Sequence, residues 1–161
     1  MFVRILLLYL IITLSACGRI PADPEKSFEK AKGTGLAAGF SQNPPWVIED
    51  DGIPHGVEAD LITGFAASNG MKVIWHKGSE QKLMEMLEKK ELHLVINGLT
   101  KDNPWKSRRI GMTLPYFKAG KEKHVIAVQQ GENRLLMHLQ RYLEERKDSI
   151  NGMINAYKQE F

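Results

Sequence analysis

Apolar and polar positions change their spacing several times along this chain, and each change marks an element. Residues 5–14 form an apolar run broken only by Thr13 and the Tyr9 hydroxyl. Residues 36–41 form a second, shorter run that stops at Gln42-Asn43-Pro44-Pro45, which predicts a strand followed by a turn. Asp50-Asp51-Gly52 and Pro54 predict a turn or small hairpin within residues 49–56. Val57, Leu61, Ile62, Phe65 and Ala66 then repeat at helical spacing, so a helix is predicted over residues 57–69, with Gly70 as its left-handed stop. A second strand is predicted at 71–75. Ser79 is placed to cap a helix reaching Lys90 with Leu83, Met86, Leu87 and Met84 inward, and a third strand at 92–96 closes on Asn97-Gly98.

The later part is less regular. Residues 104–109 read as a short helix that Asn103 could cap and Pro104 could begin. An extended piece is predicted at 112–117 and a strand at 124–129. Two amphipathic helices follow. Leu135, Leu136, Leu139 and Leu143 share a side of 133–146, and Ile150, Met153, Ile154 and Tyr157 share a side of 149–158.

The β-α-β-α-β order requires parallel strands joined by right-handed crossovers. The predicted fold class is therefore α/β, a mostly parallel sheet flanked by helices. Such sheets bind ligands outside the carboxyl ends of their strands. That rule selects Asn43, Pro44, Pro45 and Trp46 after the first strand, Asn97, Gly98, Leu99 and Thr100 after the third, and a further loop carrying Tyr116. An aromatic face, amides beside a glycine, a hydroxyl and a nearby Arg108 or Arg109 suit a small zwitterion or carboxylate, which arginine holds bidentately.

Composition narrows the chemistry. The 161 residues are 43% hydrophobic, enough for one domain with a real core. With 22 Lys+Arg against 19 Asp+Glu, mostly alternating in sign, no basic stripe points to nucleic acid. The single cysteine, Cys17, excludes an internal disulfide framework or a multi-cysteine metal site. His55, His76, His93, His124 and His138 show no i,i+4 pairing, so no metal ligand set is expected. Ser41 and Ser79 lack a nucleophile-elbow context. No catalytic residue and no cofactor are expected.

Arg4 and the apolar run after it have the form of a signal peptide. Ten helical residues rise roughly 15 Å, about half of a bilayer's hydrocarbon core. Leu14-Ser15-Ala16-Cys17 resembles the lipobox of bacterial lipoproteins, which implies cleavage before Cys17 and a diacylglycerol on its thiol. A secretory signal that happens to end in cysteine, and a retained anchor, are the alternatives. Gly18 after the cysteine resembles outer-membrane sorting in a Gram-negative cell. Residues 18–33 hold Pro21, Pro24 and many charges, with Ile20 and Phe28 their only large apolar side chains, and read as a tether. The expected organisation is a signal peptide at 1–16, a tether at 17–33 and an α/β domain at 34–161.

Four stretches, in order, carry a family resemblance: Gly39-Phe40-Ser41-Gln42-Asn43-Pro44-Pro45-Trp46, Gly56-Val57-Glu58-Ala59-Asp60-Leu61, Gly98-Leu99-Thr100 and Thr113-Leu114-Pro115-Tyr116-Phe117. They resemble the extracellular solute-binding proteins of family 3, the periplasmic amino-acid-binding components of ABC importers. The tail His124-Val125-Ile126-Ala127-Val128 with Gly131-Glu132-Asn133 resembles that family's return strand and closing helix. The resemblance implies a type II periplasmic-binding-protein-like lobe. Family members place a second lobe after the Pro-Tyr strand, whereas here residues 116–123 run straight to the return strand, so lobe one alone is implied.

By the same resemblance Trp46 matches a stacking aromatic, or else a core or lid residue. Gly98 and Thr100 match positions whose amides and hydroxyl contact ligand, and Asp60 matches a helix acid of partly structural role. Counting back from Tyr116 to the family's carboxylate-binding arginine lands near Trp105 or Lys106. Arg108 or Arg109 serves there only after a local shift, and is otherwise surface charge. The function implied is an exported, lipid-anchored lobe that binds a small polar solute such as an amino acid weakly, or has lost transport binding. Its partners would be that solute, an ABC-transporter permease or envelope protein, and the membrane through Cys17. The alternative is a protein-interaction or sensory module using the exposed former cleft. Some periplasmic dehydratases share the fold, but no acid–base pair stands out here, so no enzyme is expected.

Overall fold

In a computed structural model, which describes residues 23–159, helix α1 (Ser27–Thr34) leads directly into β1 (Leu36–Phe40). A hairpin of β2 (Ile48–Asp50) and β3 (Ile53–His55) precedes α2 (Val57–Ser68), and β4 (Val73–Lys77), α3 (Glu80–Glu88) and β5 (Leu94–Ile96) complete the β-α-β-α-β unit. A 3-10 turn at Pro104–Ser107 leads to β6 (Ile110–Met112). A second hairpin, β7 (Phe117–Ala119) and β8 (Glu122–His124), then leads to β9 (Ala127–Gln129), α4 (Asn133–Glu145) and α5 (Lys147–Lys158). The expected signal peptide at 1–16 and Cys17 lie outside the described residues.

The main sheet has the order β4-β1-β5-β9-β6. β1 pairs in parallel with β4 and β5, while β9 runs antiparallel to both β5 and β6. All strands but β9 therefore point the same way, and their carboxyl ends share one edge. Local signals explain the helices. Ser79 Oγ accepts the Lys82 N–H at 3.4 Å, and Gly70 takes φ +68° just beyond α2. Asn103 accepts from Trp105 N–H at 2.9 Å, with Pro104 opening the turn.

Alternation along β5 divides the core into two layers. Leu94 and Ile96 face Leu61, Ile62, Phe65, Leu135 and Leu139, whereas Val95 faces Leu83, Met84 and Leu87 of α3. Burying each such side chain contributes roughly 1.5–3 kcal/mol before entropy is counted.

Three expectations change. The proposed tether at 17–33 overlaps folded structure, because α1 is a helix whose Phe28 and Ala31 are buried in the core. A remote residue holds it: Glu132 accepts the N–H groups of Glu25 and Ser27, each at 3.0 Å, and so caps the helix start. The folded unit thus begins before residue 34. The extended piece expected at 112–117 is divided between elements: Met112 ends β6 and Phe117 begins β7, while Thr113 N–H donates to Ile126 O and Tyr116 N–H to His124 O, each at 3.0 Å. The strand at 124–129 is split into β8 and β9, because Val125 N–H turns to Leu99 O and Ile126 N–H to Thr113 Oγ1.

Candidate functional site

Three segments meet at the carboxyl end of β1 and β5. The loop after β1 closes on itself through Asn43, whose N–H donates to Val47 O at 2.8 Å and whose carbonyl accepts from Trp46 and Val47. The Asn43 amide then reaches across to Asn97 O at 2.7 Å and ties this loop to the end of β5. Gly98 follows with φ +70°. A Cβ there would collide with the Trp46 ring and the Asn43 side chain, so a glycine is required twice, by conformation and by space.

The residue that joins the segments is Glu58, in the first turn of α2. Its carboxylate has no solvent exposure. One oxygen accepts the Gly98 N–H at 2.8 Å and the other the Tyr116 O–H at 2.6 Å, while its own N–H donates to Trp46 O at 2.9 Å. Burial raises its pKa to about 7, against the opposing pull of those hydrogen bonds. The Tyr116 hydroxyl is raised by burial and by the adjacent carboxylate. An acid in a first helical turn ordinarily reads as a match to the helix dipole, so the sequence offered no sign that Glu58 is central.

Trp46 lies at the middle of this cluster and is only 8% exposed. Its indole stands 3.9 Å from the His124 ring and 5.5 Å from Phe117, centroid to centroid, with Tyr116 edge-on at 6.3 Å. The β7–β8 hairpin thus folds its own rings over the aromatic face. His124 Nδ1 lies 3.3 Å from Gly98 O, a contact that needs the proton on Nδ1 because a carbonyl only accepts. Burial lowers its pKa.

Of the residues singled out by sequence, Asn43, Trp46, Gly98 and Tyr116 come together. Thr100 sits beside them, in a bridge to His124. Leu99 does not: its side chain packs with Val95, Ile110 and Val125 in the α3 layer, and only its carbonyl, accepting from Val125, faces the hairpin. The two arginines do not either. Arg108 pairs with Glu88 at 3.2 Å and lies over the Trp105 ring at 5.1 Å. Arg109 is exposed beside Leu87, Glu88 and Gln129. The reason is register: Ile110 pairs with Gln129, whose N–H bonds His93 O, so both arginines lie at the amino end of β5, opposite Gly98. Asp60 accepts the Tyr157 hydroxyl at 2.6 Å and fastens α5 to α2. Among the described residues no cluster of His, Cys, Asp or Glu is placed to hold a metal ion.

Residues 36–160 match the bacterial extracellular solute-binding proteins, family 3, and the chain belongs to that family. The arginine-bound form of domain 1 from TmArgBP is 28% identical and covers 72% of this chain and 97% of its own, with a TM-score of 0.65. A mutant of ArgBP from T. maritima shares the fold at 16% identity, TM-score 0.72, covering 83% of this chain and 99% of that one. A membrane-bound lytic murein transglycosylase F from Thiobacillus denitrificans is 37% identical over 57% of this chain. The chain spans only 19% of that relative's length.

Proposed function

We propose that the chain is an exported, lipid-anchored solute-binding lobe that takes a small polar solute such as an amino acid only weakly, transport-grade capture having been lost. The observation that carries this is the state of the half-site. The Trp46 face is covered by His124 and Phe117, and the Gly98 amide and Tyr116 hydroxyl are both engaged by Glu58. A ligand would have to displace these contacts, and binding that displaces native partners is weak. An arginine-bound single domain among its structural relatives supports the solute class. The lipobox at Leu14-Ser15-Ala16-Cys17 supports the anchor, with Gly18 favouring the outer membrane of a Gram-negative cell. An ABC-transporter permease is the partner that the family implies.

Thermal-shift titration against the common amino acids tests the solute reading. A ligand specific to the native state stabilises by about 2.7 kcal/mol at a hundredfold excess over Kd. A shift that needs millimolar ligand is expected. Saturation at micromolar concentration overturns the reading. For the anchor, the expected mass of the exported chain includes a diacylglycerol that Cys17→Ser removes. A second role, docking of an envelope protein, is favoured by the exposed Leu114 surface.

A further inference from the structure

A depression of about 490 Å³ lies beside the half-site, lined by Leu114, Pro115, Lys101, Lys118, Lys123 and Lys147 among others. A second, of about 310 Å³, shares Lys101, Leu114 and Pro115 and continues past Met112 and Ile110 along β6. Together they make an elongated groove with an apolar floor, and Leu114 at its centre is 71% exposed. β6 is the outermost strand of the main sheet, so an extended segment has room to lie along it.

The rim is cationic and incompletely neutralised. Lys147 pairs with Glu144 at 2.9 Å, and Lys106 pairs with Asp102. Lys101, Lys118 and Lys123 have no carboxylate within ion-pair distance among the described residues, and Asp102, already paired with Lys106, is the acid whose pKa Lys101 and Lys123 help to lower. Position also matters. The hairpin stands at the carboxyl ends of the strands, while the first described residues are fixed at the opposite end by Glu132, just beyond β9. The hairpin side of the groove therefore stands at the end of the sheet opposite Glu25 and Ser27.

We propose that this groove docks an extended acidic segment of a partner protein, with an apolar side chain seated on Leu114 and Pro115 and carboxylates on Lys101, Lys118 and Lys123. The inference rests on the protein-docking role, not on solute binding. None of the residues substituted below belongs to the Trp46–Glu58–Gly98 cluster, so the two can fail separately.

The test is fluorescence anisotropy of a labelled Glu-Leu-Glu-Glu-Leu-Glu peptide titrated with the full chain in detergent micelles, at about 150 mM salt. Vesicles of phosphatidylglycerol serve as a second probe. Lys101→Glu, Lys118→Glu and Lys123→Glu together should weaken peptide binding at least about tenfold, and Leu114→Ser by several-fold. Lys82→Glu, Lys89→Glu and Lys158→Glu, an equal change of charge on other exposed lysines, should leave it within about twofold. Melting curves confirm that each variant is folded, and Leu114→Ser alone reads the groove if the triple variant is not. No binding at millimolar chain, equal loss in both triple variants, or vesicle binding through the groove lysines without peptide binding would each overturn the proposal.

Discussion

The indole of Trp46 and the imidazole of His124 lie 3.9 Å apart with their planes 32° from parallel. One comes from the loop after β1 and the other from the end of β8, so the contact fastens the hairpin onto the strand ends. Replacing His124 by Ala removes the ring and the Nδ1 contact to Gly98 O together. The expected loss is about 2 kcal/mol of stability, read from denaturant unfolding.

Glu58 gives the chain a pH signature. Its folded-state pKa of about 7 stands above the ordinary 4.5, so the folded state holds this proton more tightly than the unfolded chain does. The resulting stability is fully present below pH 4.5 and is lost as pH rises through 7. Relative to Glu58→Gln, which does not titrate, wild type should gain about 3 kcal/mol on going from pH 8.5 to 4.5. A pH-independent difference between the two would show that the carboxyl is not buried as described.

Gly98 is constrained by both backbone and space. Gly98→Ala forces a Cβ into the Trp46 ring at φ +70°. A loss of about 2–4 kcal/mol is expected, with a change in tryptophan emission as the ring moves. An unchanged melt would mean that the loop is not packed this closely.

Glu132 should matter to a helix far from it in sequence. Glu132→Ala removes both acceptors from the start of α1, at about 2–3 kcal/mol. Limited proteolysis should then cut within residues 23–35 before the rest of the chain, because Phe28 loses its anchored position against His138, 4.2 Å away.

What the sequence disclosed follows from how local each signal is. The β-α-β-α-β unit could be read because Ser79, Gly70 and the Leu61/Ile62/Phe65 spacing act within a few residues. The strand-end rule then led to Asn43, Trp46, Gly98 and Tyr116. Helix α1 was not legible, since Phe28 and Ala31 are too few to show a period and the capping Glu132 belongs to another segment. Proximity in sequence misled for Arg108 and Arg109, which one short strand, β6, separates from the site end of the sheet. Covering of Trp46 depends on Phe117 and His124 arriving from a hairpin, which no spacing rule predicts.

The most direct measurement is made on Trp46 itself, in a variant with Trp75→Phe and Trp105→Phe so that its emission is seen alone. A covered indole should emit in the blue, resist acrylamide quenching, and stay unchanged by arginine until about millimolar concentration, the range of weak binding. Red-shifted, readily quenched emission that responds to micromolar arginine would show an open, working half-site and contradict the account.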